Sequence, residues 1–115
     1  MDEKIKRLLN WAKGKKDLPY TLDINPTDKC NLRCKHCWQR AFEPIDSSYE
    51  VPDEIWIKRV KEALRIKVRE FEITGGGEPL MRRDLLGLMK FIKKFNIFGR
   101  LITNGTLFTE RMIKE

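Results

Sequence analysis

The alternation of apolar and polar residues predicts three strands in this chain. It is clearest over Tyr20–Asn25, and the stretches 70–74 and 97–103 have the same character. Helical spacing of apolar residues predicts helices over 2–12, 52–67 and 82–95, and Thr109 is placed to cap a further one. The segment 46–48 has the composition of a connection.

Each predicted helix has one apolar stripe that should face a core. The three stripes are Ile5, Leu8, Leu9 and Ala12; Trp56, Val60, Ala63 and Leu64; and Leu85, Leu88, Met89, Ile92 and Phe95. Strands that alternate with helices predict an α/β fold with a parallel sheet and right-handed crossovers. In such a sheet, functional residues are expected in the loops at the carboxyl ends of the strands.

Charge and cysteine content narrow the function classes. The net charge is +7, but basic residues alternate with Glu as in 58–62, which favours solvated helix faces over a nucleic-acid interface. No apolar run approaches a membrane span, and the first residues lack the apolar core of a secretory signal, so we expect a cytoplasmic protein. All three cysteines lie within eight residues, which favours metal or redox chemistry over a disulfide framework.

The cysteines Cys30, Cys34 and Cys37 place three thiolates on one short loop after the first strand. Thiolates are soft ligands that suit iron–sulfur clusters and zinc. A four-iron cluster held by three cysteines would leave one iron open for other chemistry. The alternative is a zinc site completed by His36 or another residue, although His36 directly precedes Cys37 and both could grip one ion only poorly.

Two further loops follow the other predicted strands. Gly75-Gly76-Gly77-Glu78-Pro79 comes after the second strand, where glycines allow close backbone approach and a carboxylate can accept from an ammonium group. It lacks the Lys-Ser/Thr pair of a phosphate-binding loop. Thr103-Asn104-Gly105 ends the third strand, where Asn-Gly is also an ordinary turn.

The cysteine loop and the Gly-Gly-Glu-Pro loop, each after a strand, resemble those of the radical S-adenosylmethionine (radical SAM) superfamily. The resemblance implies that Cys30, Cys34 and Cys37 bind three irons of a 4Fe–4S cluster, while the fourth iron chelates S-adenosylmethionine. It implies a cofactor contact for His36, at the family's aromatic position. It also assigns to the cofactor Gly76, Gly77, Glu78, Pro79, Thr103 and Asn104.

The family's chemistry is reductive cleavage of S-adenosylmethionine to a 5′-deoxyadenosyl radical, with electrons from an external donor. The substrate, small molecule or macromolecule, is not indicated by these residues. The charge alone leaves open an RNA-modifying member of the same family. A non-catalytic metal-binding module, either zinc-structured or an electron carrier, is the alternative from a different function class.

The resemblance also implies a departure in size. The family core is a partial (β/α) barrel of six strands, of which three are predicted here, so we divide the chain into a leading amphipathic helix (1–18) and an incomplete core domain (19–115). A truncated product, one half of a split enzyme and a small protein with another purpose all fit. An open parallel edge predicts a partner chain that completes the barrel, or a second copy, and turnover that depends on it.

Overall fold

The computed structural model describes residues 2–38 and 50–114, and it contains every strand and helix that the sequence predicts in these ranges. The strands are β1 (Thr21–Ile24), β2 (Glu70–Ile73) and β3 (Phe98–Leu101). The helices are α1 (Glu3–Ala12), α2 (Asp53–Arg65), α3 (Leu85–Lys93) and α4 (Glu110–Lys114). Thr109 caps α4 as predicted, since its hydroxyl accepts from the Met112 N–H at 3.3 Å. The predicted connection 46–48 lies outside the described residues.

The three strands form one parallel sheet in the order β1-β2-β3. The predicted α/β fold is therefore confirmed, and it is consistent with part of a (β/α) barrel. One face of the sheet, with Ile24, Phe71 and Ile73, packs into the buried core. The predicted stripes of α2 and α3 supply most of the rest of that core, through Val60, Ala63, Leu85, Leu88 and Ile92. Among the described residues, no helix has both the length and the apolar composition to cross a membrane.

Helix α3 begins at Leu85 and not at Arg82 as predicted. Pro79–Met81 forms a separate 3₁₀ turn, capped by the Glu78 side chain, which accepts from the Leu80 N–H at 3.1 Å. Arg82 then adopts an extended backbone (φ −77°, ψ 124°), so it is not itself a helical residue. Phe95 lies beyond the helix end, 43% exposed rather than buried, with its ring edge-on to Phe91 at 5.2 Å between centroids.

Helix α1 contacts the rest of the molecule through its polar face, contrary to the prediction. Ile5 and Leu8 are 51% and 52% exposed, whereas Arg7 is 5% exposed. The Arg7 Nη1 donates to the carbonyl oxygens of Pro19 at 2.8 Å and Lys67 at 3.0 Å, and its guanidinium lies over the Tyr20 ring. The division at residue 18 stays a prediction, but α1 is held by a cation and not by its apolar stripe.

Replacing Arg7 should therefore weaken the fold more than trimming the apolar stripe. We expect Arg7→Met to lower the free energy of unfolding by about 2–3 kcal/mol, because buried hydrogen bonds to a charged donor are lost. The matched variant Leu8→Ala should stay within about 0.5 kcal/mol of wild type, since Leu8 is half exposed. Urea denaturation measures both, and the opposite ranking would mean that the apolar stripe is buried in solution.

Candidate metal and cofactor site

The register of the sheet brings the three predicted loops to one edge. Ile24 lies opposite Ile73, and Ile73 lies opposite Leu101, so β1, β2 and β3 end at the same level. The ladder extends one step further, since the Thr74 N–H donates to the Ile24 carbonyl at 3.0 Å and the Ile102 N–H donates to the Ile73 carbonyl at 2.8 Å. The cysteine loop, the glycine-rich loop and the Thr-Asn-Gly loop thus leave the sheet side by side.

The cysteine loop has three free thiols that solvent can reach. Cys30 is exposed, while Cys34 and Cys37 are half buried. A turn brings the last two together, because the Cys37 N–H donates to the Cys34 carbonyl at 3.1 Å. His36 is exposed on this turn. Within residues 2–38 and 50–114, no three His, Cys, Asp or Glu side chains already form a group that could hold one metal ion.

The glycine-rich loop packs backbone to backbone against the cysteine loop. The Gly77 N–H donates to the Thr27 carbonyl at 3.0 Å, and the Glu78 N–H donates to the Lys29 carbonyl at 2.8 Å. A Cβ on Gly77 would lie 2.0 Å from the Lys29 carbonyl oxygen, which no side chain can tolerate. Glycine is therefore required at residue 77 by contact between the two loops.

Gly76 makes a different contact with the cysteine loop. Its N–H donates to the Asn25 side-chain oxygen at 2.9 Å, and the Asn25 side-chain amide donates to Asp28 at 3.1 Å. Asn25 is the first residue after β1. The start of the cysteine loop and the middle of the glycine-rich loop are thus held by one side chain.

The Glu78 side chain points into the protein, and the residue is 2% exposed. In addition to Leu80, its carboxylate accepts from the Thr103 hydroxyl at 2.5 Å and from the Asn104 N–H at 2.7 Å. It therefore joins the glycine-rich loop to the Thr-Asn-Gly loop.

Side-chain hydrogen bonds join the Thr-Asn-Gly loop to the cysteine loop. The Asn104 side-chain amide donates to the Asn31 side-chain oxygen at 2.9 Å, and the Asn31 amide donates to the Thr106 hydroxyl at 2.8 Å. Asn31 directly follows Cys30, so the Thr-Asn-Gly loop contacts the cysteine loop at the residue next to its first thiol.

Arg82, which follows the 3₁₀ turn after the glycine-rich loop, is a buried cation that binds three other segments or residues near the site. The residue is 7% exposed, and its guanidinium donates to the Pro26 carbonyl at 2.8 Å, to Asp84 at 3.0 Å and to Asp53. A hydrogen bond with Asp84, followed by the one from Arg82, lowers the pKa of Asp53. Burial, followed by the hydrogen bond with Asp53, raises the pKa of Asp84. The exits of β1 and of the 3₁₀ turn and the start of α2 therefore meet at one cation.

Sequence reasoning identified the loops but missed several of their connecting residues. Glu78, Thr103 and Asn104 are in direct contact, and Gly76 and Gly77 contact the cysteine loop. Pro79 is buried at the start of the 3₁₀ turn, and His36 has no hydrogen bond or ion pair to another described residue. The missed residues are Asn25, Thr27, Asn31, Arg82 and Thr106, whose only sequence signal is that they are polar and lie within or near a motif.

The residues fit an iron–sulfur cluster with a small-molecule cofactor. Three unpaired thiols on one loop supply soft ligands. The half-buried glycine-rich loop that abuts them can bring backbone groups close to a ligand.

Proteins with an open parallel α/β sheet commonly bind ligands at the carboxyl ends of the strands, and the three thiols at that edge of this chain are suitable ligands for an iron–sulfur cluster. Within that class the chain belongs to the radical SAM superfamily, whose family model matches residues 24–115. Membership implies a 4Fe–4S cluster and S-adenosylmethionine as cofactors.

Curated relatives support the same family. The chain is 36% identical over 88 residues to the probable GTP 3′,8-cyclase of Methanocaldococcus jannaschii, covering 76% of this chain and 29% of that protein. It is 30% identical over 95 residues to the tungsten-containing aldehyde ferredoxin oxidoreductase cofactor-modifying protein of Pyrococcus furiosus, covering 82% and 26%. It is 37% identical over 86 residues to the pre-heme d1 synthase of Dinoroseobacter shibae, covering 71% and 20%.

The chain thus spans less than a third of the length of these relatives. No solved structure matches it.

Proposed function

We propose that this chain binds a 4Fe–4S cluster through Cys30, Cys34 and Cys37 and binds S-adenosylmethionine beside it. The observation that carries the proposal is the direct contact between the cysteine loop and the glycine-rich loop, through the Glu78–Lys29 backbone hydrogen bond and the close approach at Gly77. A cluster on the cysteine loop and a cofactor lined by the glycine-rich loop would need these two segments to be neighbours.

The roles of the residues follow from their positions. The three thiolates would hold the cluster, and the backbone of Gly76 and Gly77 would line the cofactor beside it. When bound, the cofactors supply reductive cleavage of S-adenosylmethionine to a 5′-deoxyadenosyl radical, with an electron from an external donor. The chain itself positions the ligands. Free thiols of this kind suit the reducing cytoplasm, where we place the protein.

Metal content after anaerobic reconstitution tests the cluster. We expect about four irons and four sulfides per wild-type chain. Cys34→Ser should lose most of the bound iron, because a thiolate ligand is removed. The matched loop variant Lys35→Ser should retain it, since Lys35 is exposed and is not a proposed ligand. Stoichiometric zinc in the purified wild type, with no iron uptake, would instead establish a zinc-structured module.

We further propose that full turnover needs more strands than these three, from a partner chain or a second copy. In the described part of the chain β3 has a neighbour on one side only, and its residues Phe98, Gly99 and Arg100 are exposed. An open parallel edge is a surface for further pairing. Cofactor cleavage by the pure monomer, without substrate, at a rate typical of whole enzymes would contradict this requirement.

A further inference from the structure

Glu78 is the most buried charged residue that joins two loops of the site. A carboxylate that bound a ligand's ammonium group would be expected to face the open side of the site. Here it is 2% exposed, and it accepts hydrogen bonds from Leu80, Thr103 and Asn104. Both oxygens are therefore already used by protein donors.

The contacts of Glu78 continue into the cysteine loop. Asn104, whose backbone N–H is held by Glu78, donates through its side chain to Asn31, next to Cys30. On the other side of Glu78, its own N–H donates to the Lys29 carbonyl. The residue before Cys30 and the residue after it are thus tied, directly or through one intermediate, to the same glutamate.

We propose that Glu78 is a positioning residue: its buried carboxylate fixes the Thr-Asn-Gly loop against the glycine-rich loop and, through Asn104 and Asn31, sets the place of Cys30. It does not itself receive the cofactor. This inference rests on the proposed function for its consequence in cofactor binding, but the locked loops are a property of the protein before any cofactor binds.

Amide hydrogen exchange of the cofactor-free chain tests the proposal. In Glu78→Gln one acceptor oxygen becomes an amide nitrogen, so we expect exchange at the Asn104 N–H to accelerate about tenfold. Exchange in the segment around Asn31 should accelerate as well. The matched control is Glu70→Gln, a second buried carboxylate at the opposite end of β2, bound to Lys4 at 3.1 Å. It should leave exchange in these loops unchanged.

Thr103→Val provides a second variant, which retains the carboxylate and removes the hydroxyl that donates to Glu78 and accepts from the Gly105 N–H at 3.1 Å. If Glu78 is a positioning residue, Thr103→Val should also accelerate exchange at the Asn104 N–H. Both variants should then bind S-adenosylmethionine about tenfold more weakly than wild type in anaerobic equilibrium dialysis of the reconstituted protein. Unchanged exchange at Asn104 in both variants, with affinity lost only in Glu78→Gln, would overturn the proposal and make Glu78 a direct ligand.

The two proposals fail in different ways. If the wild-type chain takes up neither cluster nor cofactor, the proposed function is wrong. The exchange results for Glu78→Gln and Thr103→Val still test whether Glu78 positions the two loops, since they are measured without cluster or cofactor.

Discussion

Gly77→Ala should lower the free energy of unfolding by about 3 kcal/mol and abolish cluster uptake. The added Cβ would lie 2.0 Å from the Lys29 carbonyl oxygen and 2.6 Å from the Asp28 carbonyl carbon. These are backbone atoms, which cannot turn aside as the end of a flexible side chain can. To relieve this overlap, the cysteine loop must move away from the glycine-rich loop. That movement breaks the Gly77–Thr27 and Glu78–Lys29 hydrogen bonds.

The matched control for this variant is Gly87→Ala in α3. A Cβ on Gly87 meets nothing within 4 Å, and alanine is the better helix former. We expect Gly87→Ala to raise stability by about 0.5–1 kcal/mol and to leave iron uptake unchanged. Urea denaturation and iron analysis measure the two effects. A Gly77→Ala protein that loads iron like wild type would show that the loops do not need this contact.

Arg82→Met should lower the free energy of unfolding by about 2–3 kcal/mol, because the buried guanidinium loses its hydrogen bond to the Pro26 carbonyl, while its ion-pair partners are partly exposed. Methionine keeps the apolar stem but leaves the Pro26 carbonyl without its donor. It also removes the ion pairs that Arg82 makes with the Asp53 and Asp84 carboxylates.

The matched control is Arg83→Met, which makes the same substitution at the next residue. Arg83 is exposed, so its loss should change stability by less than about 0.5 kcal/mol. If both variants unfold at the same urea concentration, the buried cation is not what holds the β1 exit, the 3₁₀ turn and α2 together. If Arg82→Met alone is destabilised, its iron uptake will show how far the cysteine loop depends on this anchor.

The sequence predicted the strands and the core stripes of α2 and α3 because periodicity reports which residues can share one face. It could not predict whether another element covers that face. Helix α1 has a clear apolar stripe, yet Leu8 is exposed and Arg7 is buried. The deciding contacts are carbonyl groups of Pro19 and Lys67, which come together only in the folded chain.

The site was predictable to the level of its motifs and not of their internal contacts. The cysteine spacing and the glycine-rich loop are visible in the sequence, and parallel strands place them at one edge. The strand register decides that the Lys29 carbonyl leaves no room for a side chain at residue 77. It also decides that the Glu78 carboxylate lies opposite the Thr103 hydroxyl. The predicted start of α3 at Arg82 was wrong for a related reason, since contacts with distant segments hold Arg82 in an extended conformation.

The most direct test of the central claim is electron paramagnetic resonance of the anaerobically reconstituted, dithionite-reduced chain, recorded with and without S-adenosylmethionine. We predict a four-iron signal that shifts when the cofactor is added, because a cluster held by only three thiolates would leave one iron open to it. A four-iron signal that does not shift, or no iron–sulfur signal at all, would contradict a cofactor site formed by these loops.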